Sequence, residues 1–225
     1  YVTKAPCVAP PPPCTGATYN VGNSPDGIII VPSINSIWVA RTNGVSAINP
    51  ANGNMANYVV GFLTNNSMAY ENISGSIWLT NAGSVNTVLK LNPGNGGVMN
   101  GYATQSTPNF GIALDPLTNS MWVTNSATNS VDRININTGS RNNFTAGQAT
   151  YGVAYEPVTN SIWVTSANLT MLTKVNTTTG VATNYFNAAF NGSRGIAFDN
   201  VTNSLWVVNS VSNSVSKVNP ANGNI

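Results

Sequence analysis

The sequence has no histidine and very little charge: four Lys, four Arg, four Asp and two Glu, 6% of 225 residues, against a usual ~25%. Without imidazole there is no Ser-His-Asp or Cys-His catalysis, no histidine metal ligand and no imidazole general base. A formal net charge of +2 gives no electrostatic footprint for nucleic acid or an anionic membrane. No apolar run approaches the ~20 residues of a membrane-spanning helix. Only two cysteines are present, Cys7 and Cys14, too few for a structural zinc site and not spaced as Cys-x-x-Cys. They bracket Val8-Ala9-Pro10-Pro11-Pro12-Pro13. A local disulfide closing a Pro-rich loop is the expectation, with an extracellular or cell-surface location; two free thiols are the alternative. The chain begins at Tyr1, which points to a processed form.

Polar surface comes instead from amides and hydroxyls, with 37 Asn, 24 Thr and 21 Ser. The chain is 42% hydrophobic and carries five Trp, enough apolar surface to order it.

Those five Trp lie in near-identical pentapeptides: Ser36 to Ala40, Ser76 to Thr80, Ser120 to Thr124, Ser161 to Thr165 and Ser204 to Val208. Spacings between successive Trp are 40, 44, 41 and 43 residues. Eleven residues before each Trp stands Gly27, Ser67, Gly111, Gly152 or Gly195, opening a short apolar run. After each Trp comes Ile48, Leu91, Ile134, Val175 or Val218, then Asn and a turn ending in Gly. An aromatic follows, Tyr58, Tyr102, Phe144 or Tyr185. Each unit reads as four short strands, a to d, separated by Asn/Gly/Pro/Ser/Thr turns. That period and strand count predict an all-β, five-bladed β-propeller of four-stranded blades over residues 16–225, preceded by a Pro-rich extension over 1–15.

The fifth unit stops at Ile225 without a strand d. Ala17-Thr18-Tyr19-Asn20-Val21 has the pattern of that strand, and Tyr19 stands where the other units have their aromatic. The N-terminal strand is therefore expected to complete the last blade, closing the ring; donation of the same strand to a neighbouring molecule satisfies the same arithmetic.

Ser-Ile-Trp-Val-Thr-Asn, with the Asn-Ser-Val and Ile/Val-Asn-x-x-Thr-Gly that follow it, resembles the YVTN-type β-propeller repeat. That group is similar to the NHL and virginiamycin B lyase-like propellers. The resemblance covers residues 17–225 and implies an extracellular or cell-surface propeller. Five units is a departure, since these families commonly have six or seven blades. Lyase activity is not implied, because the histidine on which those enzymes rely is absent.

Glu71, Asp115, Glu156 and Asp199 each stand four residues after the strand-a Gly or Ser, before a turn. A repeated acid in a turn caps backbone N–H groups; a glycosidase needs a unique carboxylate pair. Lys90, Arg133, Lys174 and Lys217 recur in strand c, toward the same face as those acids. Strand-b Trp reads as inter-blade core rather than as a sugar platform. Sequons at Asn65, Asn72, Asn143, Asn168, Asn176, Asn191 and Asn200 are candidate N-glycan acceptors, a number that chance alone supplies. No Asp-rich Ca²⁺ loop is present, and neither a metal nor a cofactor is expected.

The reading is a non-enzyme: a secreted, glycosylated structural subunit of a surface layer or extracellular filament. It would self-associate through the propeller and its N-terminal segment, with no nucleic acid partner and no membrane span. A multivalent carbohydrate-binding lectin is the alternative, and a propeller lyase or glycosidase a weaker one.

Overall fold

A computed structural model describes residues 16–61, 67–81, 87–106 and 110–225. The expected Cys7–Cys14 disulfide and the sequon at Asn65 lie outside the described residues.

Among these residues nineteen strands form five antiparallel sheets. Blade 1 holds β1 (Ile28–Val31), β2 (Ser36–Arg41), β3 (Gly44–Ile48) and β4 (Met55–Val59). Blade 2 holds β5 (Met68–Glu71), β6 (Ser76–Asn81), β7 (Thr87–Leu91) and β8 (Val98–Ala103). Blade 3 holds β9 (Ile112–Asp115), β10 (Ser120–Asn125), β11 (Ser130–Asn135) and β12 (Arg141–Thr145). Blade 4 holds β13 (Thr150–Glu156), β14 (Ser161–Ser166), β15 (Met171–Asn176) and β16 (Ala182–Phe186). Blade 5 has three strands, β17 (Ser193–Asp199), β18 (Ser204–Asn209) and β19 (Ser214–Val218). The five-bladed propeller is thus as the repeat predicted.

Burial grades across each blade. In β6, β10 and β14 all six residues are buried, because both faces of strand b meet a neighbouring blade. The outermost strands β4, β12 and β16 are exposed except for one aromatic each, Tyr58, Phe144 and Tyr185. The abundant Asn serves the turns. Asn49, Asn92, Asn135, Asn176 and Asn219 end strand c, and each accepts a backbone N–H two residues on. Asn119, Asn160 and Asn203 take the left-handed conformation between strands a and b.

Trp38, Trp78, Trp122 and Trp163 are fully buried, each packed on the following blade. Trp163, for example, joins Leu205, Val207 and Val218 of blade 5. Each also packs against the aromatic of its own strand d, with ring centroids 4.8–5.4 Å apart, stacked for Trp38 and Trp78 and tilted for Trp122 and Trp163. On the other side those aromatics meet a turn glycine of the next blade: Tyr58 on Gly96, Tyr102 on Gly139, Phe144 on Gly180 and Tyr185 on Gly223. Strand-c cations cross the same boundary. Arg133 donates to the Thr177 carbonyl at 2.8 Å and Lys174 to the Pro220 carbonyl at 2.8 Å.

Among the described residues β1 packs on β5, β5 on β9, β9 on β13 and β13 on β17, with no comparable packing of β17 on β1. Ile28 and Ile30 are 68% and 67% exposed at one end; Trp206 and Val215 are 41% and 59% exposed at the other. Residues 17–21 correct the expectation built on them. They form no strand, and among the described residues β19 pairs with β18 alone. They lie on blade 1 instead, where Tyr19 meets Gly53 and the Val21 carbonyl accepts from Ser46 Oγ at 3.1 Å. The physical reason is that, among the described residues, blade 5 packs on blade 4 through β13 and has no comparable packing on β1, so the segment keeps the contacts that blade 1 offers.

Candidate functional site

Near-identical blades share architectural residues, so functional chemistry belongs where the copies differ. One such position is the residue preceding the strand-a Gly or Ser: Asp26, Asn66, Phe110, Tyr151 and Arg194. It opens the inner strand, on the face that carries the b–c loops. Asn66 lies outside the described residues. Phe110 and Tyr151 stack with centroids 4.4 Å apart and planes 12° off parallel. The Arg194 guanidinium lies over the Tyr151 ring, 4.8 Å from its centroid. The two rings are half-buried and Arg194 is exposed. Its Nε donates to Ser210 Oγ at 3.3 Å, and its terminal nitrogens meet no acceptor among the described residues.

The tier is held from behind by threonines of strand b. Thr124 Oγ1 accepts from the Gly111 N–H at 2.9 Å and donates to the Tyr151 carbonyl at 3.0 Å. Thr165 Oγ1 accepts from the Gly152 N–H at 2.8 Å and donates to the Arg194 carbonyl at 2.7 Å. Each hydroxyl thus fixes the backbone beneath the next blade's ring or guanidinium. Glycine is needed beside them, because a Cβ at Gly111 would stand 2.6 Å from the Tyr151 carbonyl. The corresponding strand-b residues of blades 1 and 5 are Ala40 and Val208, which cannot make this bridge.

Chemically, a guanidinium stacked on one face keeps its edge free for a planar, bidentate acceptor such as a carboxylate or phosphate. Two stacked rings beside it supply an apolar platform. Sequence reading missed this tier because it attended to what recurs; comparing the residue before each strand-a Gly or Ser would have found it.

The acids take the turn role foreseen for them. Glu71 accepts from Ser74, Asp115 from Leu117 and Thr118, Glu156 from Val158 and Thr159, and Asp199 from Val201 and Thr202. Asp115 also accepts the indole N–H of Trp122 at 3.3 Å. The Thr202 hydroxyl and the Val201 N–H hold Asp199 below the ordinary aspartate range. Lys90 pairs with Glu71 at 3.8 Å. Burial lowers the Lys174 ammonium from the usual lysine range, opposed by the Glu156 charge. Asp132 is buried and accepts from the Gln105 N–H, Asn143 and Arg141. Open clefts of about 610 and 390 Å³ lie beside Lys217 and Lys174, at the opposite, repeating face of the blades.

The sequons divide. Asn72, Asn168, Asn191 and Asn200 are exposed. Asn143 Nδ2 donates to Ser130 Oγ and Asp132 Oδ1, so a glycan on that nitrogen would break at least one of these bonds, whereas Asn176 holds Thr178 and Thr179 through Oδ1 and keeps its Nδ2 out of them. Among the described residues no three His, Cys, Asp or Glu side chains gather as a metal site, and no helix is long and apolar enough to cross a membrane.

No family model and no curated relative matches the chain. Solved structures do. A Staphylococcus aureus virginiamycin B lyase, made catalytically inactive by a histidine-to-alanine change and holding quinupristin, is 19% identical with a TM-score of 0.78, over 91% of this chain and 70% of that one. The same lyase in selenomethionine form gives 19% identity and a TM-score of 0.75, over 88% and 67%. A chain of a nidogen/laminin complex gives 11% and 0.70, over 88% and 76%. The chain spans about two thirds of the lyases' length. It has the virginiamycin B lyase-like propeller fold, consistent with the YVTN/NHL-type group that its repeats resemble. At such identities the likeness is one of fold. It corrects the expectation of a secreted surface-layer or filament subunit: the neighbours are an enzyme and other propellers, and none supports that role.

Proposed function

We propose that the chain is a binding propeller without catalysis of its own, and that it takes a small planar anion at Phe110, Tyr151 and Arg194. The observation that carries this reading is the stacked ring–ring–guanidinium tier at the position where the blades diverge. Binding rather than turnover is favoured by the absence of histidine and by the commitment of Glu71, Asp115, Asp132, Glu156 and Asp199 to structural bonds. The solved lyase lost activity when a histidine was removed, and no such residue exists here to inherit its chemistry. That the lyase binds quinupristin supports a propeller of this fold hosting a small ligand.

Calorimetric titration with 1-naphthoate tests the reading, with 1-naphthylmethanol and cyclohexanecarboxylate as controls lacking the charge or the plane. A charge-assisted bond to Arg194 is worth ~1.5–3 kcal/mol, so Arg194→Gln should weaken naphthoate binding by about tenfold or more. Both controls should bind more weakly than naphthoate. Equal binding by Arg194→Gln, or no heat with naphthoate, overturns it.

A further inference from the structure

Blade 2 departs from its neighbours at its outer strand. β4, β12 and β16 carry Asn57, Asn143 and Asn184, each tied by its side chain to Ser46, Asp132 or Thr173 of strand c. At the corresponding place β8 has Gly101, opposite the apolar Leu89. The asparagine stands one residue earlier, at Asn100, just past a bulge at Met99 that is absent from β4, β12 and β16. Asn100 and Gly101 are both exposed, and the Gly101 N–H donates to Asn100 Oδ1 at 2.8 Å. Five other Asn-Gly pairs occur in the chain, and the fold guards each. In the c–d turns the N–H groups of Gly53, Gly96 and Gly223 donate to the Asn49, Asn92 and Asn219 carbonyls at 2.8 Å. There Oδ1 of Asn52, Asn95 and Asn222 accepts from the residue two positions on. Gly44 and Gly192 are buried, the first against the Tyr58 carbonyl and the second against Ser210 and Val211. Of the six glycines, Gly101 alone is exposed.

We propose that Asn100 is a site of spontaneous covalent modification, deamidation through a cyclic imide. The Gly101 nitrogen gives its proton to water and attacks Asn100 Cγ; a C–N bond forms and the side-chain amide leaves as ammonia. Water then opens the imide at one of its two carbonyls, leaving aspartate or isoaspartate. No oxidant or reductant is needed. The contact with Oδ1 already folds the side-chain amide against the attacking nitrogen, and glycine has no Cβ to shield it. Either product sets a carboxylate opposite Lys90. Isoaspartate also lengthens the β8 main chain by one methylene, two residues before the Tyr102 ring is gripped between Trp78 and Gly139. The site stands independently of the anion site.

The folded protein and a sample unfolded in guanidinium chloride are incubated side by side at mildly alkaline pH. Peptide mass spectrometry follows amide-to-acid conversion at all six Asn-Gly pairs. In the unfolded sample the six should convert at similar rates. In the folded protein Asn100 should convert roughly fivefold or more faster than Asn52, Asn95 and Asn222, whose turn bonds must first open. Asn43 and Asn191, beside buried glycines, should lag as well. In Gly101→Ala the new Cβ meets only Leu89 Cδ2 at 3.6 Å, so circular dichroism should be unchanged while conversion at residue 100 falls. Equal rates across the six pairs of the folded protein, or conversion led by another pair, overturn the proposal. So does unchanged conversion in Gly101→Ala, or none at Asn100 while the unfolded sample converts there.

Discussion

Replacing Gly180 with alanine tests the joint between blades 3 and 4. Gly180 has φ of 73°, and a Cβ there would run into the Phe144 ring. Holding an L-residue in the left-handed region costs roughly 1–2 kcal/mol, and forcing a methyl into a packed contact another ~1–3 kcal/mol. The expected loss is therefore about 2–5 kcal/mol, a large part of a typical ~5–15 kcal/mol. Gly75→Ala is the matched control: its φ is 69°, and its Cβ would meet only the Tyr70 hydroxyl at 3.9 Å. It should cost the strain alone, about 1–2 kcal/mol. Urea unfolding followed by tryptophan fluorescence gives both losses from the midpoints if the slopes agree. Adding Phe144→Leu should return part of the Gly180→Ala loss and none of the Gly75→Ala loss, a coupling of ~0.5–3 kcal/mol. Losses equal within about 0.5 kcal/mol would refute the ring-on-glycine joint.

Other outcomes follow from the same contacts. Lys174→Met keeps the stem over Trp163 but loses the bond to the Pro220 carbonyl, and should destabilise by about 1 kcal/mol, while Lys217→Met, which breaks no such bond among the described residues, stays within ~0.5 kcal/mol by the same unfolding assay. Trp122→Phe removes a donor to buried Asp115 and should cost about 1 kcal/mol more than Trp163→Phe, whose indole N–H has no partner to lose. Asp199 titrates below its unfolded value, so its stabilising contribution is present above the ordinary aspartate range and is lost as pH falls through the depressed value. In Thr202→Val, carboxyl NMR should show that titration moved upward, and the stability difference from wild type should vanish in strong acid. Thr165→Val breaks the bond to the Arg194 carbonyl and orphans the Gly152 N–H, costing ~1–3 kcal/mol and loosening naphthoate binding.

The architecture was legible because its causes recur. Trp at a fixed offset from a strand-a glycine marks a strand buried on both faces, and the acid of each a–b turn is visible as a capping residue. Three things were not legible. Spacing placed Tyr19 in the right relation to a turn glycine, but a spacing cannot say whether the blade that should share Tyr19 is adjacent. Spacing places the strand-c cations toward the same face as the turn acids; within the fold two of them reach farther, to carbonyls of the next blade, because each blade presents its c–d turn there. The tier at Phe110, Tyr151 and Arg194 was hidden by its own irregularity: periodic reading discards the variable position, and the stack exists only once three strands converge.

The central claim is that the blades bind a planar anion where they differ. Its most direct measurement is two-dimensional NMR of the labelled chain titrated with 1-naphthoate. The account predicts shifts concentrated at Phe110, Tyr151, Arg194, Gly152 and Ser210. Shifts centred on the repeated clefts beside Lys174 and Lys217, or none at saturating ligand, would contradict it.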